Sequence, residues 1–256
     1  MIDNKCKEVG SSQHKFLMKY YFLVLCCLAS LAGASAWSQE DDAITSLPGW
    51  GIPPTAQYSG YLNASETTHL HYWFVESEGN PSTDPVVVWF NGGPGCSSLD
   101  GFFYEHGPFS INPSNYSQLQ EREYRWNKIA NTLYIEAPVG VGFSYSDDKD
   151  DYKTGDAQTA ADNYALIQEF MKRFPDLRQN RLYITSESYG GHYMPTLAKK
   201  IVDEQKTAPE EQKLNFQGFA VGNPFTTPYS GIPASVETYW GHQVVSKPTY
   251  DKWVTS

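Results

Sequence analysis

The 256-residue chain is long enough to form one large domain, and with 40% hydrophobic and 15% aromatic residues it is too apolar to be intrinsically disordered. Its 29 acidic residues outnumber its 19 basic ones, which gives a formal net charge of −10. Because nucleic-acid binding depends on cations that neutralise phosphates, we expect no nucleic-acid partner.

The first 36 residues have the pattern of a secretory signal peptide. Lys15 and Lys19 precede an apolar run at residues 20–31, and the small residues at 34–36 form an A-x-A cleavage site. An uncleaved anchor is the alternative, but this run is shorter than the roughly 20 apolar residues of a membrane-spanning helix. We therefore predict cleavage, no stable membrane anchor, and a mature domain at residues 37–256.

The cysteines and the glycosylation sequons also suit a secreted protein. Three of the four cysteines precede residue 37, so cleavage leaves Cys96 as the one remaining thiol. An odd cysteine in an oxidising compartment indicates a missing disulfide partner or a reactive thiol. Asn63 and Asn115 each begin an N-x-S triplet, and we expect both asparagines on the surface as glycosylation sites.

Strands alternate with helices along the mature chain. Turn-bounded runs of β-branched and aromatic residues predict strands, and apolar residues that recur every three or four positions predict one face of a helix. The predicted strands are at 58–62, 69–75, 86–90, 132–135, 182–185 and 216–221, and the predicted helices are at 156–174 and 189–205. This order indicates an α/β fold with a mostly parallel sheet.

A serine stands at the point where the strand at 182–185 turns directly into a helix. This is the context of a nucleophile elbow, in which a sharp turn presents the Ser188 hydroxyl above the sheet and close to a helix N-terminus. The usual pattern is G-x-S-x-G, and here Ser186 takes the place of the first glycine. A small residue is needed there because strand and helix approach closely, so we expect some strain or displacement at Ser186.

A glycine-rich loop, N-G-G-P-G-C-S-S at residues 91–98, follows the buried strand at 86–90. Glycines let backbone N–H groups approach a ligand closely. In acyl transfer, such a loop can donate one N–H group to the oxyanion while the residue after the nucleophile donates the other. The alternative is an ordinary Gly/Pro turn, which its combination with Ser188 argues against.

These motifs, with further blocks at residues 101–109, 126–127, 136–145 and 222–224, resemble the serine carboxypeptidases. The blocks read G-F-F-Y-E-H-G-P-F, W-N, E-A-P-V-G-V-G-F-S-Y and G-N-P, and several ordered blocks are more specific than one short motif. The resemblance implies an α/β-hydrolase fold with a mixed, mostly parallel sheet flanked by helices. It also implies a helical lid late in the chain, whose start residues 225–256 resemble.

The resemblance implies a role for each matching residue. Ser188 would be the nucleophile, and the N–H groups of Gly93 and Tyr189 would form the oxyanion hole. The substrate's terminal carboxylate would be held by Asn91, Glu105 and Glu187, and Trp89 would help wall the same site, although an aromatic residue on a buried strand is more often core. It also implies catalysis without a metal or cofactor, peptide or protein C-termini as substrates, and a homodimer of the full-length protein.

The two glutamates have a physical rationale of their own. Two carboxyl groups held together cannot both ionise cheaply, and a shared proton lets Glu105 and Glu187 donate hydrogen bonds to an anionic substrate end. Binding would then be favoured at acidic pH. The alternative is that the two are separate surface charges.

The chain departs from the family's pattern after the nucleophile. α/β-Hydrolases order the triad as Ser, then Asp or Glu, then His, so both partners must follow Ser188. We expect neither His192 nor His242 to serve, since the first lies on the helix of the elbow and the second in the start of the lid. Asp203 and Asp251 lie in no recognisable strand-end loop. We therefore expect a chain that lacks the triad Asp and His, part of the sheet, most of the lid and the disulfide partner of Cys96.

Three functional hypotheses follow. The leading one is that the parent protein is a serine-type carboxypeptidase that works through an acyl-enzyme on Ser188, with little activity in this chain alone. It would act in the secretory pathway, either in a lysosome- or vacuole-like compartment or outside the cell. The alternatives are an acyltransferase that passes the acyl group to an alcohol, and a non-catalytic form that acts as a binding partner.

Overall fold

The computed structural model describes residues 38–255, so the predicted signal segment lies outside the described residues. The chain divides into two compact units, Met1–Asp41 and Asp42–Ser256. In the described part of the first unit, the Ser38 N–H group donates to Asp41 Oδ2 at 2.7 Å.

A seven-stranded mixed sheet organises the second unit. In spatial order its main path is β1 (Gln57–Asn63), β2 (Thr68–Val75), β6 (Asn131–Ile135), β3 (Val86–Phe90), β8 (Leu182–Glu187) and β9 (Phe216–Gly222). A short strand, β7 (Tyr145–Ser146), pairs with β2. The β1–β2, β2–β6 and β2–β7 pairs are antiparallel, and the β6–β3, β3–β8 and β8–β9 pairs are parallel.

Helices cover the sheet where the sequence predicts them. Helix α1 (Asp156–Arg173) buries Ala160, Ile167 and Met171 against the sheet, in agreement with its apolar periodicity. Helix α2 (Gly190–Gln205) begins two residues after Ser188. Two further helices, α3 (Pro228–Gly241) and α4 (Lys247–Val254), lie in the segment expected to begin the lid, and none of their described residues is buried.

The α/β fold and its mostly parallel sheet are confirmed, and the strands predicted as buried on both faces lie in the middle. Every residue of β6 is buried, and all but one in β3. A continuous apolar run is the pattern expected of a parallel strand covered on both sides. The sheet therefore holds β3 and β8 rigidly side by side, with their carboxyl ends at the same edge.

Several short elements were not predicted from the sequence. Strands β4 (Phe109–Ile111) and β5 (Leu119–Glu121) form a separate antiparallel pair. A π-helical turn at Gly101–Glu105 follows the glycine-rich loop. Short 3-10 helices lie at Gln39–Asp42, Trp126–Lys128, Lys149–Tyr152, Pro175–Leu177 and Glu210–Gln212.

Strand β9 is the most exposed strand of the main sheet path. It pairs with β8 on one side, and in the described part of the chain no strand pairs with its other side. None of its residues is buried, and Phe219 is 49% exposed. No helix formed by residues 38–255 combines the length and the apolar character that crossing a bilayer requires.

Candidate active site

The backbone at Ser188 has the strained geometry of a nucleophile elbow. Its φ of 53° lies in the left-handed region, which a side chain other than glycine seldom adopts. The loop after β9 holds this turn, because the Ser188 N–H group donates to the Gly222 carbonyl at 2.9 Å and the Phe225 N–H group donates to the Ser188 carbonyl at 2.7 Å. The exposed hydroxyl therefore stands at the carboxyl end of β8, at the start of helix α2.

The serine in place of the first glycine fits because of the glycine that follows the elbow. Ser186 is 2% exposed, and a methyl group added at Gly190 would collide with its side chain. The space that strand and helix share at this crossing is thus filled by Ser186 and left empty by Gly190. The second glycine of the pattern, Gly190, is retained, and its missing side chain leaves the room that the Ser186 side chain occupies.

The glycine-rich loop lies directly against the elbow. A Cβ atom added at Gly92 would lie 2.6 Å from the Glu187 carbonyl oxygen and 2.7 Å from the Tyr189 nitrogen. Only glycine permits this approach, and the next residue, Gly93, has a φ of 113°, where glycine is also favoured. The glycine-rich loop and the Tyr189 N–H group therefore lie next to each other, close to Ser188. This arrangement is suited to stabilising an oxyanion.

Asn91 brings the two predicted glutamates together. Its side chain is almost fully buried, and its Nδ2 atom donates to Oε1 of both Glu105 and Glu187 at 3.2 Å. Its Oδ1 atom accepts hydrogen bonds from Trp89 Nε1 at 2.6 Å and from the Gly101 N–H group at 3.1 Å. Both ends of the amide are thus fixed, and the hypothesis of two separate surface charges does not describe this pair.

Trp89 contacts this cluster through its indole N–H group. Its ring is 5% exposed and packs edge-on against His106, with ring centroids 4.3 Å apart, and against Trp126 at 5.6 Å. The ring belongs to a buried aromatic cluster. The hydrogen bond to Asn91 makes Trp89 a residue that orients the amide.

The electrostatic surroundings favour a proton on Glu105. Partial burial raises the pKa of Glu105, and the neighbouring Glu187 carboxylate raises it further, while the Asn91 hydrogen bond and the Arg122 cation oppose the rise. Glu105 therefore stays protonated to a higher pH than an isolated glutamate does. A protonated carboxyl group can donate to an anion, which two ionised ones cannot.

Arg122 fixes the turn that carries Glu105, and it was not identified from the sequence. Its guanidinium group donates to the Phe103 carbonyl at 2.6 Å and to the Gly107 and Phe109 carbonyls at 3.2 Å. These carbonyls flank the end of the π-helical turn that carries Glu105. In the sequence, Arg122 lies in a charged stretch that resembles a solvated loop, and only the folded chain directs it inward.

A buried polar network holds the other end of the glycine-rich loop. Glu136 is 1% exposed and accepts hydrogen bonds from His71 Nδ1 at 3.0 Å, from the Phe143 N–H group at 2.8 Å, and from the Ser97 hydroxyl. Burial alone would raise the pKa of Glu136, but these three donors lower it, so its carboxylate stays ionised. Ser97 thereby ties the loop to the end of β6.

Helix α2 also contacts the loop. The Tyr193 hydroxyl is buried beneath it and accepts a hydrogen bond from the Gly95 N–H group at 3.3 Å. Burial raises the pKa of Tyr193 to about 12, so the hydroxyl stays neutral. The loop is therefore fixed to both the sheet and the helix that flank it.

No side chain among residues 38–255 hydrogen-bonds the Ser188 hydroxyl. The His192 ring packs on Tyr189, with centroids 4.8 Å apart, and His242 Nδ1 lies 2.9 Å from a carbonyl oxygen of its own helix. Asp203 pairs with two lysines, whose hydrogen bonds lower the pKa of Asp203 to about 2, and Asp251 pairs with Lys247. Each of these four side chains thus contacts a group other than Ser188.

The remaining predicted residues lie on the surface. Cys96 is an exposed free thiol within the glycine-rich loop. Asn63 and Asn115 are both exposed. Within residues 38–255, no group of three or more histidine, cysteine, aspartate or glutamate side chains could hold a metal ion.

Comparisons with known sequences agree on one family. A sequence model of the family described as serine carboxypeptidase matches residues 48–255. The lysosomal protective protein of Mus musculus is 50% identical over 202 residues, 78% of this chain and 41% of that protein. Serine carboxypeptidase-like 20 of Arabidopsis thaliana is 45% identical over 244 residues, 92% of this chain and 48% of that protein. The chain thus spans about half or less of the length of these relatives.

A solved structure supports the fold. The prohormone-processing carboxypeptidase Kex1 of Saccharomyces cerevisiae superposes with a TM-score of 0.72 at 24% identity, and the match covers 83% of this chain and 49% of that one. At this identity the likeness bears on the fold alone. It supports the mixed sheet with helices on its faces.

The pairing of Ser186 with Gly190 predicts a measurable coupling. We expect Gly190→Ala to lower the free energy of unfolding by about 1–3 kcal/mol, because the added methyl group overpacks the crossing. In a Ser186→Gly background the same substitution should cost much less. Urea denaturation of both single variants and of the double variant measures the coupling. Gly241→Ala, at a helical glycine where an added methyl group meets nothing within 4 Å, is the control. Additive effects would contradict a direct contact between positions 186 and 190.

The position of Arg122 predicts a change at Glu105. Arg122→Gln removes a cation that lowers the pKa of Glu105, so that pKa should rise, and NMR titration of the Glu105 side chain measures it. Arg122→Lys keeps the positive charge, but an ammonium group cannot hold three carbonyls as the planar guanidinium does. This variant should therefore lower the free energy of unfolding, with a smaller change in the pKa of Glu105. Lys128→Gln, which removes an exposed lysine, is the matched control. An unchanged pKa in Arg122→Gln would show that the cation does not act on Glu105.

Proposed function

The chain belongs to the serine carboxypeptidase family, and on that premise we propose that it carries the nucleophile, oxyanion hole and carboxylate-binding residues of a serine-type carboxypeptidase. The whole protein would release C-terminal amino acids from peptides or proteins. The observation that carries the proposal is the double hydrogen bond of Asn91 to Glu105 and Glu187, next to Ser188 on its elbow. Such a cluster suits the free carboxylate that distinguishes the end of a chain from its interior.

In the proposed reaction, the substrate's terminal carboxylate binds at Asn91 and the protonated glutamate pair. This places the last peptide carbonyl over Ser188, whose hydroxyl attacks it. The N–H groups of Gly93 and Tyr189 stabilise the oxyanion, and the departing amine takes a proton as the acyl-enzyme forms. Water then hydrolyses the ester. The general base and the acid that orients it would come from outside residues 38–255.

The setting we propose is the secretory pathway. Exposed Asn63 and Asn115 and the exposed thiol of Cys96 support passage through a compartment where glycans and disulfides form. The name of the Mus musculus relative supports a lysosomal destination, and an acidic lumen suits a carboxylate site that works when protonated. A homodimer of the whole protein stays a prediction. The acyltransferase alternative has no comparable support.

The role of Ser188 is tested by measuring peptide hydrolysis with the longest protein that the gene encodes. Release of the C-terminal residue from blocked dipeptides should occur at acidic pH, and Ser188→Ala should lower kcat by roughly 10⁴- to 10⁶-fold. Ser114→Ala, at an exposed serine in a surface loop, is the matched control and should leave the rate unchanged. Absence of release from the protein with Ser188 intact would exclude the proposed function.

The carboxylate pair predicts the direction of the pH dependence. Because the pKa of Glu105 is raised, its neutral donor form is fully present below that pKa and is lost as the pH rises through it. KM for peptides should therefore increase with pH. Glu105→Gln keeps a neutral donor at every pH and should flatten this increase, whereas Glu123→Gln, at an exposed glutamate, should not. A KM independent of pH in the unmodified protein would contradict the role of the pair.

A further inference from the structure

One face of the β1–β2 hairpin gathers several aromatic rings. The register pairs Asn63 with His69 and Tyr61 with His71, and strand β7 pairs Tyr145 with His69. Side chains directly opposite one another share a face, as do residues two apart along a strand. All five side chains therefore stand on the same face. Strands β6 and β3 separate this hairpin from β8 and its elbow.

Three of these rings form a surface that we call the aromatic shelf: the exposed rings of Tyr61 and Tyr145, and the half-buried ring of His69, whose Nε2 atom lies 3.1 Å from Asp147. The centroids of Tyr61 and Tyr145 are 5.4 Å apart, and those of His69 and Tyr145 are 4.8 Å apart. Tyr61 is 41% exposed and Tyr145 is 43% exposed. A contiguous exposed aromatic patch indicates a surface that contacts something, since single exposed rings are common but clustered ones are not.

Asn63 stands at the edge of the shelf in a sequon. It is exposed, at the last position of β1, and its Oδ1 atom lies 2.8 Å from His69 Nδ1. Its Nδ2 atom makes no hydrogen bond with the part of the chain that the structure describes. The Ser65 hydroxyl accepts hydrogen bonds from the Thr67 and Thr68 N–H groups, which shapes the turn that presents the sequon.

We propose that Asn63 carries an N-linked glycan whose first N-acetylglucosamine packs an apolar C–H face on the aromatic shelf. Tyr61 lies two residues before Asn63, about 6.5–7 Å along the strand, which one pyranose ring attached to Nδ2 covers. The C–H groups of a sugar carry slight positive charge and meet the negative face of an aromatic ring, and their contact also removes apolar surface from water. The sugar attached to Asn63 would thus cover the aromatic shelf.

The covalent step requires one co-reactant, a lipid-linked oligosaccharide diphosphate in the secretory pathway. Asn63 Nδ2 forms a bond to C1 of the first sugar, the bond from C1 to the diphosphate breaks, and the amide nitrogen loses one proton. No group is oxidised or reduced. The proposal rests on secretion and is independent of any peptidase activity.

The second sequon provides an internal comparison. The residue two positions before Asn115 is Pro113, so no aromatic ring stands there to receive the sugar. The Asn115 Oδ1 atom instead accepts hydrogen bonds from the Ser117 N–H group and hydroxyl. A glycan at Asn115 should therefore add no comparable stability.

The test uses the full chain, expressed in a eukaryotic secretory host with Asn115→Gln so that only Asn63 can be modified. Glycopeptide mass spectrometry measures occupancy, and thermal unfolding measures Tm after two enzymatic treatments. Trimming to a single N-acetylglucosamine should leave Tm unchanged, whereas complete removal should lower it by about 2–4 °C. In Asn115→Gln/Tyr61→Val the complete removal should have almost no effect, and Tyr61→Phe, which keeps the ring, should behave as the parent.

Three outcomes would overturn the proposal. They are an unmodified Asn63, an equal loss of Tm with and without the Tyr61 ring, and a loss of Tm on trimming that matches complete removal. If Tyr61→Val does not fold, NMR of the trimmed glycoform gives an independent answer. The C–H resonances of the retained sugar should move upfield through the ring currents of the shelf, and unshifted resonances would likewise overturn the proposal.

Discussion

The side-by-side pairing of β3 and β8 is the constraint on which the candidate site depends. Their parallel register pairs Phe90 with Ser186, so the residues that follow each strand leave the sheet together. Asn91 is thereby set next to Glu187, and Gly92 next to Ser188. The glycine-rich loop and Ser188 come from distant parts of the sequence, and the hydrogen bonds between β3 and β8 fix the distance between them. The absence of a side chain at Gly92 then decides how close they come.

Around the contact between Gly92 and Ser188, each residue of the candidate site is held in place by a neighbouring residue. Trp89 and the Gly101 N–H group orient the Asn91 amide, Arg122 fixes the turn of Glu105, and the Gly222 carbonyl holds the Ser188 backbone. Groups held in advance lose little further freedom when a substrate binds, which is the general basis of preorganised electrostatic catalysis. The family relationship accounts for the plan, and these contacts account for its rigidity in this chain.

Sequence reasoning succeeded where the determinants are local. The continuous apolar runs at 86–90 and 132–135 predicted buried strands, and the strand-to-helix turn at Ser188 predicted the elbow. Asn91, Glu105 and Glu187 came from the family resemblance, since residues 14 and 96 positions from Asn91 cannot be brought together by any periodicity. Arg122 and the contact between Glu136 and His71 were missed because their partners lie on other elements. Strand β7 has two residues, too few to give a pattern.

The exposed outer edge of β9 has a consequence for the biosynthesis of the protein. A row of unpaired backbone N–H and C=O groups is a template for pairing with any other extended chain. While this edge is exposed, it can pair with the same edge of a second copy and start aggregation during folding. A folding chaperone that binds extended chains would therefore raise the yield of the protein by occupying the β9 edge rather than by acting on the candidate site.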